Sequence, residues 1–451
     1  MRVPGRGRIS VLAAAVLLMG AVAVEPQALI EAAKAQDWES VRALIREGAD
    51  VRAKAPDGAT ALHWASYWDE VPSAELLMRA GADPDAANDL GATPLWNAAL
   101  NGSADMVRSL LVAGADPNAA LLSGESVVMT AARTGNPDVL ELLLAAGGDP
   151  NVGGVRGQTA LMWAASQRHP AAVHVLLAHG ADLNSRSDSW SQVMAVPPHS
   201  DPSNQQSVPH GGNTALLFAA RVGDVASARL LVDAGADLDA TDAAGTTSTV
   251  LAAHSGFGDL LALLLDAGAD PDLAGAGFAA IHLAVMRGDE QMAGTLLSHG
   301  ADPNARLTNW TPTRRASADW SIHPALVGAT PFWLAARLGH PGLMRLLAEH
   351  GADALFVHRV RYAGAAGTFG VEEKNEATTA LMAAVGMGGP RSVSGFVDPS
   401  TQEISMRRIE AVRVAVELGV DPAARDVDGR TAAEGTRDVI LRDFLSQLAI
   451  R

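Results

Sequence analysis

The chain has 451 residues, no cysteine, and a formal net charge of −16 from 34 basic and 50 acidic side chains. The acidic balance argues against nucleic acid as a partner. Without cysteine the chain has no disulfide staple, no lipid-modified cysteine and no thiol nucleophile.

Arg2, Arg6 and Arg8 precede an apolar run from Ile9 to Leu18 and then Ala21-Val22-Ala23. This is the pattern of a secretory signal peptide, residues 1–23, cleaved near Ala23. The run is too short to span a bilayer comfortably, so a periplasmic or secreted protein without membrane insertion is expected after cleavage. Cleavage would remove three arginines and no acid, deepening the negative charge.

Residues 24–56 carry Gln27, Glu31, Lys34, Gln36 and Asp37 where later units are apolar or small, as expected of an N-terminal cap. Residues 57–184 repeat one unit, clearest from Gly91 to Asp116. There Thr93 and Pro94 predict a helix start, a hydroxyl to cap free N–H groups followed by proline at the first helical position. Ala98 and Ala99 are small enough for a close neighbour, and Gly102 ends the helix. A second helix follows, with Met106, Val107, Leu110 and Leu111 on one stripe. Gly114 stops it in the left-handed conformation usual one place past a helix end. The Gly-Ala-Asp stop recurs, with small deviations, at Gly48, Gly81, Gly114, Gly147, Gly180, Gly235, Gly268, Gly300, Gly351 and Gly419, mostly 33 residues apart.

The steps from Gly180, Gly300 and Gly351 are longer, which places insertions. The first occupies 185–210 and contains Trp190. After repeats over 211–306, the second occupies 307–327 and contains Trp310 and Trp320. One further repeat covers 328–353. The next, 354–427, holds a split insertion near 355–375 and 388–406, and a shortened unit, 428–451, ends the chain. Loops this long are expected to be functional or disordered.

The period of 33, with Thr-Pro-Leu opening one helix and Leu-Leu-x-x-Gly-Ala-Asp closing the next, resembles the ankyrin repeat over almost the whole chain after residue 25. The resemblance implies an all-α solenoid of helix-turn-helix units, ten repeats and a terminal half-unit, that recognises other proteins. It places the insertions at the hairpin fingertips, projecting from one edge, and implies a concave groove lined by the first helices. Counting from the Thr positions, groove candidates are Trp64, Tyr67, Asn97, Arg133, Trp163, Phe218, Arg221, His254 and Arg337, with Trp68 beside them and Trp190, Trp310 and Trp320 on the fingertips. Aromatic and arginine side chains are the usual anchors of recognition. The family's helix-opening histidine, which bonds one repeat to the next, survives only as His63 and His282. Trp96, Met129, Met162, Leu217, Val250, Trp333 and Met382 replace it, so junctions resting more on apolar packing are expected.

Little points to chemistry. His169, His174 and His179 share no helix face; His199, Asp201 and His210 in the first insertion could meet but lack a further ligand and supporting shell. The Asp-Pro-Asp and Asp-Pro-Asn segments are turns. No nucleophile elbow, phosphate loop or metalloprotease motif occurs. The expectation is therefore a non-catalytic scaffold with no cofactor and no metal, a monomer with another protein as its partner. Two alternatives are a glycan or small ligand held by Trp64, Tyr67, Trp68 and Trp96, and a hydrolase assembled from the insertions.

Overall fold

Most repeats start where a hydroxyl captures a free amide, the repeat that opens after Ala279 being an exception. Thr60, Thr93, Thr159, Thr214, Thr247, Thr330 and Thr379, and Ser126, all have extended backbone, and each side-chain oxygen accepts from the backbone N–H three residues on. In a computed structural model that describes residues 26–195, 205–311, 322–366, 370–389 and 401–448, the resulting helix pairs form two units, 1–149 and 150–451.

In the first unit the pairs are α1 (Pro26–Lys34) and α2 (Trp38–Arg46), α3 (Ala61–Tyr67) and α4 (Val71–Arg79), α5 (Pro94–Asn101) and α6 (Ala104–Val112), and α7 (Val127–Thr134) and α8 (Pro137–Ala145). First helices pack in the row α1, α3, α5, α7, and second helices in the row α2, α4, α6, α8. The stripe read from the sequence is the one buried: Met106, Val107 and Leu110 are fully covered, while Leu111 is only partly so. Gly114 is left-handed (φ 95°) with open space where a Cβ would stand, so backbone conformation alone selects glycine there.

The second unit continues the alternation with α9 (Ala160–Ser166) and α10 (Pro170–Ala178), α11 (Ala215–Val222) and α12 (Val225–Asp233), and α13 (Ser248–Ser255) and α14 (Gly258–Asp266). Then come α15 (Ala280–Arg287) and α16 (Glu290–Ser298), α17 (Pro331–Leu338) and α18 (Pro341–Glu349), α19 (Ala380–Ala384) and α20 (Thr401–Glu417), and the short α21 (Ala432–Gly435) with α22 (Val439–Leu448). Here too odd-numbered helices pack on odd and even on even.

The junctions are more polar than the sequence suggested. The surviving histidines behave as expected: His63 Nδ1 accepts from Thr60 N (3.1 Å) and its Nε2 reaches Ala92 O (2.9 Å), and His282 does the same with Ala279 N (3.2 Å) and Ala305 O (3.1 Å). A second ladder runs through the turns. Asp85 and Asn118 accept from Asp116 N and Asp149 N at 2.7 and 2.8 Å in the first unit. In the second unit Asn151, Asn184, Asp239, Asp272 and Asn304 accept from the N–H of the next repeat's Gly-Ala-Asp aspartate at 2.7–3.1 Å. The turn carboxylates and amides thus do work that the lost histidines left open. Asn118 also donates to Gly147 O (3.1 Å). Its replacement by alanine should cost about 1 kcal/mol in urea unfolding, the usual net worth of such bonds, with Asn118→Asp, which keeps the acceptor, falling between.

The insertions depart from the expected loops. β1 (Trp190–Ala195) and β2 (Gln205–His210) pair antiparallel from Trp190↔His210 to Ala195↔Gln205, and β3 (His358–Ala366) and β4 (Gly370–Thr378) from His358↔Thr378 to Ala366↔Gly370. Each hairpin lies between the second helix of one repeat and the first of the next. An isolated two-stranded hairpin is marginal in water, so it needs a surface to lean on. β3–β4 has one: His358 is buried with Nε2 2.9 Å from Ala325 O in the second insertion, and the Tyr362 ring meets His323 edge-on at 5.6 Å. Ile322, Ala325 and Leu326 of that insertion are themselves buried. The second and third insertions therefore pack together instead of projecting separately. The final piece is also shorter than expected, because α20 already begins at Thr401.

Candidate protein-interaction surface

In the first unit, Leu62, Ala65 and Ser66 of α3 face the stack, which turns Trp64, Tyr67 and Trp68 outward. Tyr67 is 46% exposed and Trp68 40%, whereas Trp64 is half-buried. Their rings meet edge to face, Trp64 with Tyr67 at 5.8 Å and Tyr67 with Trp68 at 4.8 Å. Lys34 Nζ stands 5.6 Å from the Trp64 ring, adding a cation–π contact. Asn101 Nδ2 donates to Tyr67 O (2.7 Å) and Ser66 O (3.1 Å), so the end of α3 that presents the rings is anchored to the next repeat. Asn97 is used in the same way, donating to His63 O (3.2 Å), which commits its donor to the junction. Trp96 is half-buried, with its indole N–H enclosed and without a hydrogen-bond partner. Arg133 pairs with Glu125 at 3.1 Å and is only partly exposed, and its neighbour Thr130 is buried.

In the second unit the first-helix row is open at one end and closed at the other. Trp163, Phe218 and His254 are half-buried. Arg221 is exposed and donates to Asn213 Oδ1 (3.1 Å), with Asp242 at 3.8 Å. Leu283, Met286 and Leu334 are buried, and so is Arg337. Arg337 is thus not the exposed groove residue that counting along the repeat implied. Burial, and after it the Arg408 charge, pulls its guanidinium down to about 10. Of the fingertip tryptophans, Trp190 is stacked on His210 (5.6 Å) and covered by the Arg156 guanidinium at 4.1 Å. Trp310 is half-buried and lines a cavity of about 370 Å³ with Pro324, Val327, Val360 and Tyr362. Trp320 lies outside the described residues, as do His199 and Asp201.

Nothing in the sequence pointed to Glu376. One of its oxygens accepts from the Tyr362 hydroxyl (2.9 Å) and the other from Gly389 N (2.8 Å), joining β4, β3 and the turn after α19. Only the strand register brings these residues together. Among the described residues, no group of three His, Asp or Glu side chains is placed to hold a metal ion, and no helix is long and apolar enough to cross a membrane.

The family model for ankyrin repeats, which spans three copies, matches residues 29–120, 95–187, 193–274, 216–307 and 251–354. The chain belongs to the ankyrin-repeat family. Its repeats have the ankyrin fold, mostly helical with few strands. Over 81 residues, 18% of the chain, this ankyrin-repeat protein is 41% identical to the calmodulin-binding transcription activator CBT of Oryza sativa subsp. japonica. That match spans 7% of the plant protein's length. Among solved structures, the human ASB11 ankyrin repeat domain is 28% identical, with 54% of this chain and 98% of that one covered at a TM-score of 0.44. Ankyrin repeats generally mediate protein–protein interaction, and proteins built from them are typically non-enzymatic scaffolds.

Proposed function

We propose that this ankyrin-repeat protein is a non-catalytic scaffold that works outside the cytoplasm, in the periplasm or beyond, and grips another protein. The observation that carries the reading is the Trp64-Tyr67-Trp68 cluster, in which Tyr67 and Trp68, held edge-on beside half-buried Trp64, are exposed to solvent. Such side chains lose little entropy on binding and dominate recognition energetics. Arg221 offers a further planar donor on the second unit. The export of the chain rests on its N-terminal segment.

Trp68→Ala should weaken capture of the partner at least about tenfold, the hot-spot scale, and leave the melting temperature within a degree or so. Affinity capture of the mature chain from a periplasmic extract supplies the partner, and titration of the purified pair supplies the constant. Equal affinity for wild type and Trp68→Ala would remove this surface from the interface. The glycan reading finds less support, because Tyr67 stands edge-on to both Trp64 and Trp68, so the three rings do not lie in one plane. A hydrolase finds less still, since the Tyr362–Glu376 pair ties the hairpin to Gly389.

A further inference from the structure

Among the described residues, three phenylalanine, tyrosine or tryptophan side chains are exposed: Tyr67, Trp68 and Trp190. Trp190 has the Arg156 guanidinium over it at 4.1 Å. Less exposed rings are attended in the same way, Trp64 by Lys34 (5.6 Å), Phe356 by Arg306 (5.0 Å) and Phe444 by Arg413 (5.4 Å). Tyr67 and Trp68 have no cation of this chain over them among the described residues. A ring face attracts a cation through its quadrupole, and tryptophan does so most strongly. The two most exposed rings are thus the ones left for a cation from outside.

The charges around them favour the same occupant. Residues 26–149 hold eighteen acidic and eight basic side chains, a balance that steers a cationic surface towards this unit. Asp69 follows Trp68 directly and is exposed, and among the described residues no hydrogen bond or ion pair engages its carboxylate. At the matching turn one repeat earlier, Asp37 is bound only by the neutral Ser40, through N (3.1 Å) and Oγ (2.6 Å), and so keeps its charge. Lys34, the one basic side chain of α1, lies over Trp64, with exposed Glu31 one turn before it on the same helix. A guanidinium can stack on a ring and meet a carboxylate with the same group, which an ammonium does less well.

We propose that the partner gripped by the first unit presents a basic segment, with an arginine seated on the Tyr67 and Trp68 rings and facing Asp69. This rests on the aromatic surface being the recognition site and adds the chemistry of what it recognises.

Calorimetric titration of the full chain with a short peptide alternating arginine and glycine, and with its lysine and glutamine counterparts, tests this at low and at raised ionic strength. Saturable binding is expected for the arginine peptide, weaker binding for the lysine peptide and none for the glutamine peptide. Trp68→Leu, which keeps apolar area and loses the π face, should weaken the arginine peptide about fivefold, and Tyr67→Leu serves if that variant does not fold. Asp69→Asn should weaken it about threefold and flatten its salt dependence, and asparagine tolerates the left-handed backbone there (φ 57°). An arginine peptide that does not saturate, that binds no better than the glutamine peptide, or that binds the leucine variant as it binds wild type would overturn the proposal, since acids elsewhere on the chain would then account for any attraction. Loss of partner capture in Trp68→Ala without binding of the arginine peptide would overturn the basic character alone and leave protein recognition standing. Capture retained in Trp68→Ala beside Trp68-dependent peptide binding would instead remove this surface from that partner's interface.

Discussion

Replacing Trp333 with alanine should lower the unfolding free energy by about 4 kcal/mol, the cost of emptying a large fully enclosed aromatic site. Trp333 is 1% exposed and occupies the family's helix-opening histidine position on α17. Its indole N–H donates to Thr378 O (3.2 Å) at the end of β4, and its ring lies 4.5 Å from that of His358 at the start of β3. One side chain therefore fills the repeat core and fastens both feet of the β3–β4 hairpin. Trp333→Ala should also speed amide exchange across 358–378, while Trp333→Phe, which keeps most of the area and loses the hydrogen bond, should cost about 1 kcal/mol more than nothing at all. A loss under 1 kcal/mol for the alanine variant, with exchange in the hairpin unchanged, would show that the insertion holds itself.

Acid should weaken the fold between pH 6.5 and about 4. His282 is fully buried, with Nδ1 accepting from Ala279 N and Nε2 donating to Ala305 O, so it is neutral with its proton on Nε2. A second proton would set N–H against N–H. Burial pulls His282 down to about 4, and burial with the Arg407 charge pulls His340 to about 4. His63 and His358 move in the same direction, again chiefly through burial. In each case the unfolded chain takes up its proton first as pH falls. The stabilisation is thus complete above pH 6.5, declines through the window below it, and changes no further beneath the folded value. For His282 and His340 the loss is roughly 3 kcal/mol each. His299 opposes this weakly: its backbone bond to Thr295 and its contact with Asp266 raise its value, but it is exposed. Urea midpoints measured from pH 7 to pH 4 check the slope, and His282→Gln should remove about one proton from it. A midpoint constant over that range would rule out these histidines as the source of acid sensitivity.

The two effects share an origin. Where the family histidine is kept, it joins neighbouring repeats through a neutral ring, and where it is lost, a tryptophan or an apolar residue packs in its place. The turn aspartates and asparagines then carry the polar part of the junction, from Asp85 to Asn304. Expecting apolar junctions from the loss of histidines underestimated those turns, because an Asp-Pro-Asn segment read alone shows only that the chain bends.

Thr93, the stripe of Met106, Val107 and Leu110, and Gly114 were legible in the sequence because caps, helix periodicity and left-handed stops are local, and a repeat prints them many times. The family followed from the same signals. The alternation His358-Arg359-Val360-Arg361-Tyr362 carried a strand signal too, buried and exposed in turn, but its meaning depended on a partner strand and on the second insertion beneath it. Burial of Arg337, the seat of Trp333 and the meeting of Arg337 with Arg408 were decided by tertiary structure alone. They arise from contacts between segments far apart in the chain and present once, where no period exists to announce them.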